Sequence, residues 1–237
     1  MWLDVVDLRD FYASPLGLMS RRMIGRHIRS VWPNVTGMSV LGMGFATPYL
    51  NAFRQESDRV IAAMPATQGV LHWPNEGPGA TILCGEAELP LPDYSVDRLI
   101  MIHAVEFSEL IRPMMREAWR VLSSSGRLII IVPNRRGIWA RLERTPFGYG
   151  RPYSQSQLTR LLRDSMFTPI ATRAALFVPP GRSRMLISSA PAWENIGTRW
   201  FNAVGGVVSI EASKQIYAAS GSPEVSRRRS IASVVRE

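Results

Sequence analysis

Cysteine is almost absent from this 237-residue chain, in which Cys84 is the only one. A lone cysteine cannot close an intramolecular disulfide, so covalent cross-links do not hold this fold together. Histidine is scarce too, with three in total, and none is paired with the cysteine at the spacing of a metal site. The sequence therefore predicts a protein of a reducing compartment with no structural metal.

Long apolar runs are also missing. The longest, at residues 99–105 and 128–133, are far too short to cross a bilayer. The start of the chain carries Asp4, Asp7 and Asp10 in place of the basic residues and apolar stretch of a secretory signal. These features predict a cytoplasmic protein.

Acidic residues are outnumbered, with 19 Asp and Glu against 28 Lys and Arg, which gives a net charge of +9. The excess is uneven: residues 21–29 contain four arginines and no acid, and residues 132–163 contain seven arginines and one acid, Glu143. Such segments attract polyanions, including RNA. They are equally typical of a solvated basic surface, so both interpretations stay open.

Apolar segments of strand character alternate with amphipathic helical segments along the chain. This alternation predicts a doubly wound, mainly parallel α/β sheet. We expect an N-terminal helical segment at residues 1–36, an α/β domain at residues 37–215 and a disordered Ser/Arg-rich tail at residues 216–237. The predicted strands are 37–41, 59–63, 80–84, 98–102, 127–132, 169–177 and 206–212, and the predicted helices include 14–31, 47–57, 109–122, 184–201 and one that starts after Ser154.

A glycine turn, Gly42-Met43-Gly44, joins the first strand to a helix that we expect to begin with Thr47 as its N-cap and Pro48 as its first residue. A strand, a tight glycine turn and a helix form the first unit of many nucleotide-binding α/β folds.

Two further sequence segments follow the glycine turn. Residues 86–97 read EAELPLPDYSVD, and residues 116–128 combine REAWRVL with SGRL. Together with the glycine turn, they resemble class I S-adenosylmethionine-dependent methyltransferases of the "methyltransferase domain 11" group, over about residues 38–177. The resemblance implies a Rossmann-like seven-stranded sheet, mostly parallel with an antiparallel last strand, an N-terminal helical lid, and S-adenosylmethionine as cofactor.

The resemblance also implies a set of donor-binding residues. The turn residues would bring backbone N–H groups to the methionine part of the donor, Glu86 would contact the adenine amino group beside Ala87, and His103 would face both donor and acceptor. The turn residues in question are Gly42, Gly44, Phe45 and Ala46.

Two positions depart from the family pattern. The family usually has an acid where this chain has Gly42, and another acid for the ribose at the end of the second strand, where this chain has Met64. A hydrogen bond to a charged acceptor contributes about 1.5–3 kcal/mol, so an uncompensated loss predicts roughly ten- to hundredfold weaker donor binding.

Candidate acceptor residues are fewer. His103 is the only candidate for a catalytic base, and it is equally well explained as a core histidine. Tyr12, Tyr149 and Tyr153 are substrate candidates, although each is also explained as a packing aromatic.

The leading hypothesis is therefore a methyltransferase that acts on an unidentified acceptor, with a small molecule favoured. Two alternatives remain: a catalytically silent, methyltransferase-like binding or scaffold protein, and an RNA-modifying methyltransferase that uses the arginine-rich face between Arg135 and Arg163.

Overall fold

The computed structural model describes residues 4–181, 183–200 and 204–216. The helices are α1 Val5–Ala13, α2 Pro15–Val31, α3 Thr47–Leu50, α4 Ile111–Val121, α5 Gln155–Asp164, α6 Arg184–Ser188 and α7 Ala190–Trp200. The strands are β1 Ser39–Gly44, β2 Arg59–Pro65, β3 Thr81–Cys84, β4 Val96–Ile102, β5 Leu122–Pro133, β6 Phe167–Ala175 and β7 Val207–Lys214. The predicted tail at residues 216–237 lies outside the described residues except for Ile216.

The seven strands form one sheet in the order β3-β2-β1-β4-β5-β7-β6. Strands β1 to β5 pair in parallel, whereas β7 runs antiparallel to both β5 and β6. This topology confirms the predicted Rossmann-like seven-stranded α/β fold. The chain reverses its winding direction between β1 and β4, and ligands of open α/β sheets bind at the carboxyl ends of the strands at such a switch point.

The central strands are buried on both faces, as expected for parallel strands covered by helices on each side. Alternate residues of β5 point to opposite faces: Ile129 and Ile131 to one, and Leu128 and Ile130 to the other. The N-terminal helices cover the first face, and α4 and α5 cover the second. The covering side chains include Met23, Ile24 and Ile28 on the first face, and Met114, Ala118, Leu158 and Leu162 on the second.

Two predicted helix starts are confirmed by their caps. The Ser14 hydroxyl accepts a hydrogen bond from the Gly17 N–H at the start of α2, where Pro15 is the first helical residue. Ser154 and Gln157 form a reciprocal capping box at the start of α5. Local sequence signals of this kind predict the structure because both partners lie within one turn.

Four local predictions differ from the structure. The helix expected over residues 184–201 is divided into α6 and α7. The helix expected over residues 47–57 is only α3, followed by a 3₁₀ turn at Asn51–Phe53. Thr47 is helical and Ala46 takes the cap position without a side-chain hydrogen bond, because the turn enters the helix already in the αR region. The turn expected at residues 123–126 is part of β5.

Within the described ranges, no helix is long and apolar enough to span a membrane. The same ranges contain no group of three or more His, Cys, Asp or Glu side chains arranged to hold a metal ion. Cys84 is a buried free thiol, and its burial raises its pKa to about 11.

His27 on α2 is a half-buried histidine whose ring reaches into the protein. Its Nε2 atom is buried and has no hydrogen-bond partner among the described residues. Burial, and secondarily the positive charge of Arg173, lower its pKa from 6.5 to about 4. The folded protein therefore holds a neutral imidazole at neutral pH.

We predict that the free energy of unfolding falls as the pH drops from about 6.5 to about 4. Over this interval the unfolded chain binds a proton at His27 and the folded chain does not, so the cost reaches up to about 3 kcal/mol. Urea unfolding at several pH values measures it, and His27→Leu should flatten this part of the profile. The exposed His72 supplies the control: an equal flattening in His72→Leu would contradict the assignment to His27.

Candidate active site

The carboxyl ends of β1 and β4 lie directly against each other. Gly44 has a φ of +81°, and a Cβ atom there would lie 2.4 Å from the Ile102 carbonyl oxygen. The next amide, from Phe45, donates to that same oxygen at 3.0 Å. Gly44 is thus required by the close approach of two backbones.

The face of Gly42 is occupied by other side chains. A Cβ atom at Gly42 would lie 2.7 Å from Ala46 Cβ and 2.7 Å from Leu50 Cδ1. A carboxylate side chain is much larger than one methyl group. The acid that the family usually carries here therefore has no room unless α3 moves.

The end of β2 is apolar. Met64 is buried, and its sulfur accepts a hydrogen bond from the Leu71 N–H at 3.4 Å.

Glu86 lies past β3, half-buried beside Ala87, and its Oε1 accepts from the Leu110 N–H at 3.0 Å just before α4. Glu86 thus satisfies a backbone donor at the helix start, where a negative charge is favoured.

A buried polar cluster follows β4. His103 is fully buried and has a φ of +52°, a conformation that non-glycine residues rarely adopt. The Tyr49 hydroxyl donates to the Tyr12 hydroxyl at 2.9 Å, and the Tyr12 hydroxyl lies 2.8 Å from His103 Nε2. With the Tyr12 proton directed at Nε2, the imidazole carries its own proton on Nδ1, facing Glu106.

Glu106 is the most unusual member of this cluster. Its Oε1 lies 3.2 Å from His103 Nδ1, out of line for a hydrogen bond, and neither carboxylate oxygen has a hydrogen-bond partner among the described residues. The side chain is 1% exposed. A buried, poorly satisfied carboxyl group costs stability and is characteristic of functional sites.

The electrostatic effects of the cluster extend to two tyrosines. Burial, and then the neighbouring Tyr49 and Glu106, raise the pKa of Tyr12 well above its usual value. Burial, and secondarily Glu106, also raise the pKa of Tyr153. Both phenols are therefore neutral hydrogen-bonding groups at physiological pH.

Aromatic rings seal the cluster on the side of α1. Tyr12 stacks on Phe45 with centroids 5.7 Å apart and planes at 20°, and it meets Tyr49 edge-on at 5.9 Å. Phe147 lies 5.1 Å from His103. Tyr12 is 5% and Phe45 3% exposed, so this edge of the sheet is closed.

The predicted site residues fall into three groups. Tyr12, Phe45 and His103 are in contact, with Gly42, Gly44 and Ala46 directly behind them. Glu86 and Ala87 lie on a separate loop, half-buried. Tyr149 and Tyr153 are half-buried on the β5–α5 segment, where the Tyr153 N–H donates to the Pro133 carbonyl.

Sequence reasoning missed Glu106, Tyr49 and Gln68, whose side-chain amide donates to the His103 carbonyl. One signal was available for Glu106: it is an acid three residues beyond His103 within an apolar stretch, AVEF. Tyr49 and Gln68 carry no such signal, because their roles arise only from tertiary packing.

A cavity of about 480 Å³ lies next to the sealed cluster. Phe11, Leu16, Leu142 and Ile187 give it an apolar lining, and Thr145 adds a buried hydroxyl that has no partner among the described residues. Phe147 separates this cavity from His103, because it contacts both Phe11 and His103. The volume is typical of small-molecule sites.

Comparison with known proteins identifies the domain. The family described as "Methyltransferase domain" matches residues 39–130, from the start of β1 into β5. A Mycobacterium tuberculosis protein named "Probable S-adenosylmethionine-dependent methyltransferase" is 31% identical over 143 residues, which is 59% of this chain. Residues 39–130 thus match a methyltransferase domain, and the chain is similar to S-adenosylmethionine-dependent methyltransferases over more than half of its length.

Solved structures support the same fold over most of the chain. A Thermotoga maritima S-adenosylmethionine-dependent methyltransferase, 18% identical, superposes with a TM-score of 0.58 over 89% of this chain and 96% of its own. A chain from the Haloferax volcanii complex of the Trm112 methyltransferase activator with a methyltransferase, 13% identical, has a TM-score of 0.61 over 89% and 98%. The match to the mycobacterial relative spans only 52% of that protein's length.

The residues that the resemblance assigns to the methionine part of the donor are covered in the structure. Ala46 and Leu50 fill the face of Gly42, Phe45 and Tyr12 cover the turn, and Met64 lies at the end of β2.

We predict that Gly42→Ala lowers the free energy of unfolding by about 1–3 kcal/mol, because its methyl group overpacks against Ala46 and Leu50. Gly25→Ala is the matched control. A Cβ at Gly25 lies 3.8 Å from Tyr49 in ordinary contact, so alanine should be neutral or stabilise α2 by up to about 1 kcal/mol. Urea denaturation measures both, and a Gly42→Ala protein as stable as wild type would contradict the filled face.

Proposed function

We propose that this chain is an S-adenosylmethionine-dependent methyltransferase with a small-molecule acceptor, and that its donor site opens when α1 moves away from the sheet. The observation that carries the proposal is the buried His103–Glu106 pair at the carboxyl end of β4, where His103 Nδ1 and both Glu106 carboxylate oxygens lack a hydrogen-bond partner among the described residues. Polar groups buried in this way are explained when a ligand completes their hydrogen bonds.

Displacement of α1 would uncover Phe45 and free His103 Nε2, and a shift of Leu50 on α3 would then open the face of Gly42. Tyr12 is the α1 residue that covers Phe45 and binds His103. The start of α1 is tied to the β2–β3 segment by a hydrogen bond from the Val5 N–H to the Gln68 carbonyl at 2.8 Å. Few polar contacts therefore have to break for this nine-residue helix to leave the sheet edge.

With α1 displaced, the turn residues and the β3 loop would hold the donor. We assign the methionine part to Gly42, Gly44, Phe45 and Ala46, and the adenine to Glu86 and Ala87. The turn would bind the donor without the two missing acids, so we expect weak donor binding. The donor supplies an already activated methyl group, and the protein has mainly to position the acceptor and exclude water.

We assign His103 as the base for an acceptor that is protonated at working pH. Once Tyr12 leaves, Nε2 is free to accept a proton, and Glu106 beside Nδ1 would stabilise the imidazolium that results. Glu106 is in this view a positioning residue.

The cavity next to Phe147 supports a small-molecule acceptor. Its apolar lining suits an apolar body, while Thr145 and Arg144 offer a hydroxyl and a cation for one polar or anionic group. We place Tyr12 and Tyr149 at the borders of this acceptor region. A cytoplasmic location stays a prediction from the sequence.

The second candidate function is a silent methyltransferase-like protein that binds partners without methyl transfer. The filled face of Gly42 and the buried Met64 favour it, because neither arrangement needs α1 to close it.

Calorimetry with S-adenosylmethionine and S-adenosylhomocysteine tests the proposal. We predict weak binding to the wild-type protein and at least tenfold tighter binding to Tyr12→Ala, because removing the ring destabilises the closed state and shifts the population toward the open one. The exposed Tyr94 provides a matched control, and Tyr94→Ala should bind like wild type.

Two outcomes decide between the candidates. Tighter binding confined to Tyr12→Ala supports an enzyme whose donor site is closed by α1. An absence of heat at millimolar donor in the wild type, Tyr12→Ala and Phe45→Ala would overturn the enzyme assignment in favour of the silent protein.

A further inference from the structure

Eight arginines surround α5 and line two neighbouring cavities. One cavity, of about 710 Å³, lies between α5 and β6, and the other, of about 840 Å³, lies between α5 and the start of α4. Arg160 and Asp164 line both. The arginines are Arg136, Arg160, Arg163 and Arg173 in the first cavity, and Arg112, Arg116, Arg135 and Arg151, together with the shared Arg160, in the second. We call this the α5 arginine surface.

These arginines are not neutralised by the protein. All eight are exposed, and in the described part of the chain the ion pairs within 4.0 Å involve other arginines: Arg9, Arg29, Arg120 and Arg127. Asp164 is the one acid that lines either cavity. Uncompensated guanidinium groups that converge on a concave surface are suited to phosphate oxygens, which they can bind in a bidentate manner.

The start of α5 adds neutral donors to the first cavity. Ser154, Ser156 and Thr159 line it with hydroxyl groups, and the positive end of the α5 dipole points the same way. Polar donors and cations thus share one wall, which suits a ligand made of repeated anionic groups.

The α5 arginine surface adjoins the candidate active site. The Arg151 N–H donates to the Glu106 carbonyl at 2.8 Å, and the Arg135 N–H donates to the Tyr153 carbonyl at 3.0 Å. Arg151 of this surface is therefore bonded directly to Glu106, the residue that lies beside His103.

We propose that the α5 arginine surface binds the sugar–phosphate backbone of a single-stranded nucleic acid. Two cavities side by side, joined at Arg160, suit successive phosphates of one strand better than a single small anion. Their concave shape suits a strand better than a flat lipid surface. This inference goes beyond the proposed methyl transfer and does not require it.

Fluorescence anisotropy with a labelled single-stranded RNA of about twelve nucleotides tests the inference. Binding to the wild-type protein should weaken steeply as salt rises, because phosphate contacts release counterions. The double variant Arg160→Ala/Arg163→Ala should bind at least tenfold more weakly. Each lost phosphate contact should also lower the slope of log affinity against log salt by about 0.7.

Arg21→Ala/Arg22→Ala is the charge-matched control, since it removes two exposed arginines of α2 that line a different cavity of about 340 Å³. Equal weakening by both double variants would overturn the proposal and leave only a general charge effect. Salt-independent binding, or tighter binding to phosphatidylserine vesicles or inorganic phosphate than to RNA, would overturn it as well. Because no methyl donor is present, failure here leaves the proposed enzyme untouched.

Discussion

The contact between Tyr12 of α1 and His103 beyond β4 is the interaction that holds the N-terminal helix over the carboxyl end of the sheet. It joins the N-terminal helix to the switch point of the sheet through a 2.8 Å hydrogen bond, and it places the Tyr12 ring over Phe45. Buried polar groups are expensive unless they are paired, and here the Tyr12 hydroxyl satisfies one imidazole nitrogen while the Glu106 carboxylate stays unsatisfied. This arrangement is therefore held by aromatic packing and opposed by its polar interior, a balance that supports the proposal that α1 moves away from the sheet.

The backbone around this contact leaves little freedom for any other arrangement. Gly44 is pressed against the end of β4, and His103 takes a positive φ to follow it. Positions held in sparsely populated conformations cluster at functional sites, where the surrounding structure enforces them. At Gly42, Ala46 and Leu50 fill the space that the acid of the family pattern would need.

Much of the fold was predictable from sequence, and the centre of the site was not. Helix caps follow from local signals such as the Ser154–Gln157 capping box, because the interacting atoms lie within one turn. The antiparallel last strand was expected only from the family resemblance. The unbroken apolar run at residues 128–133 also predicted that this part of β5 is buried on both faces. The roles of Glu106 and Tyr49 arise from segments far apart in the chain, so no local pattern carries them. Tyr12 was a candidate substrate residue from the sequence, but only the structure shows that its hydroxyl lies within hydrogen-bond distance of His103.

Hydrogen exchange of the α1 amides, with and without saturating S-adenosylhomocysteine, tests most directly whether α1 occupies the donor site. If the Tyr12 ring and the donor compete for one space, the ligand should speed exchange across Val5–Ala13 while the amides of α4 stay as protected as before. Bound ligand with unchanged protection of α1 would contradict the account, because the donor would then occupy a place that this helix does not cover.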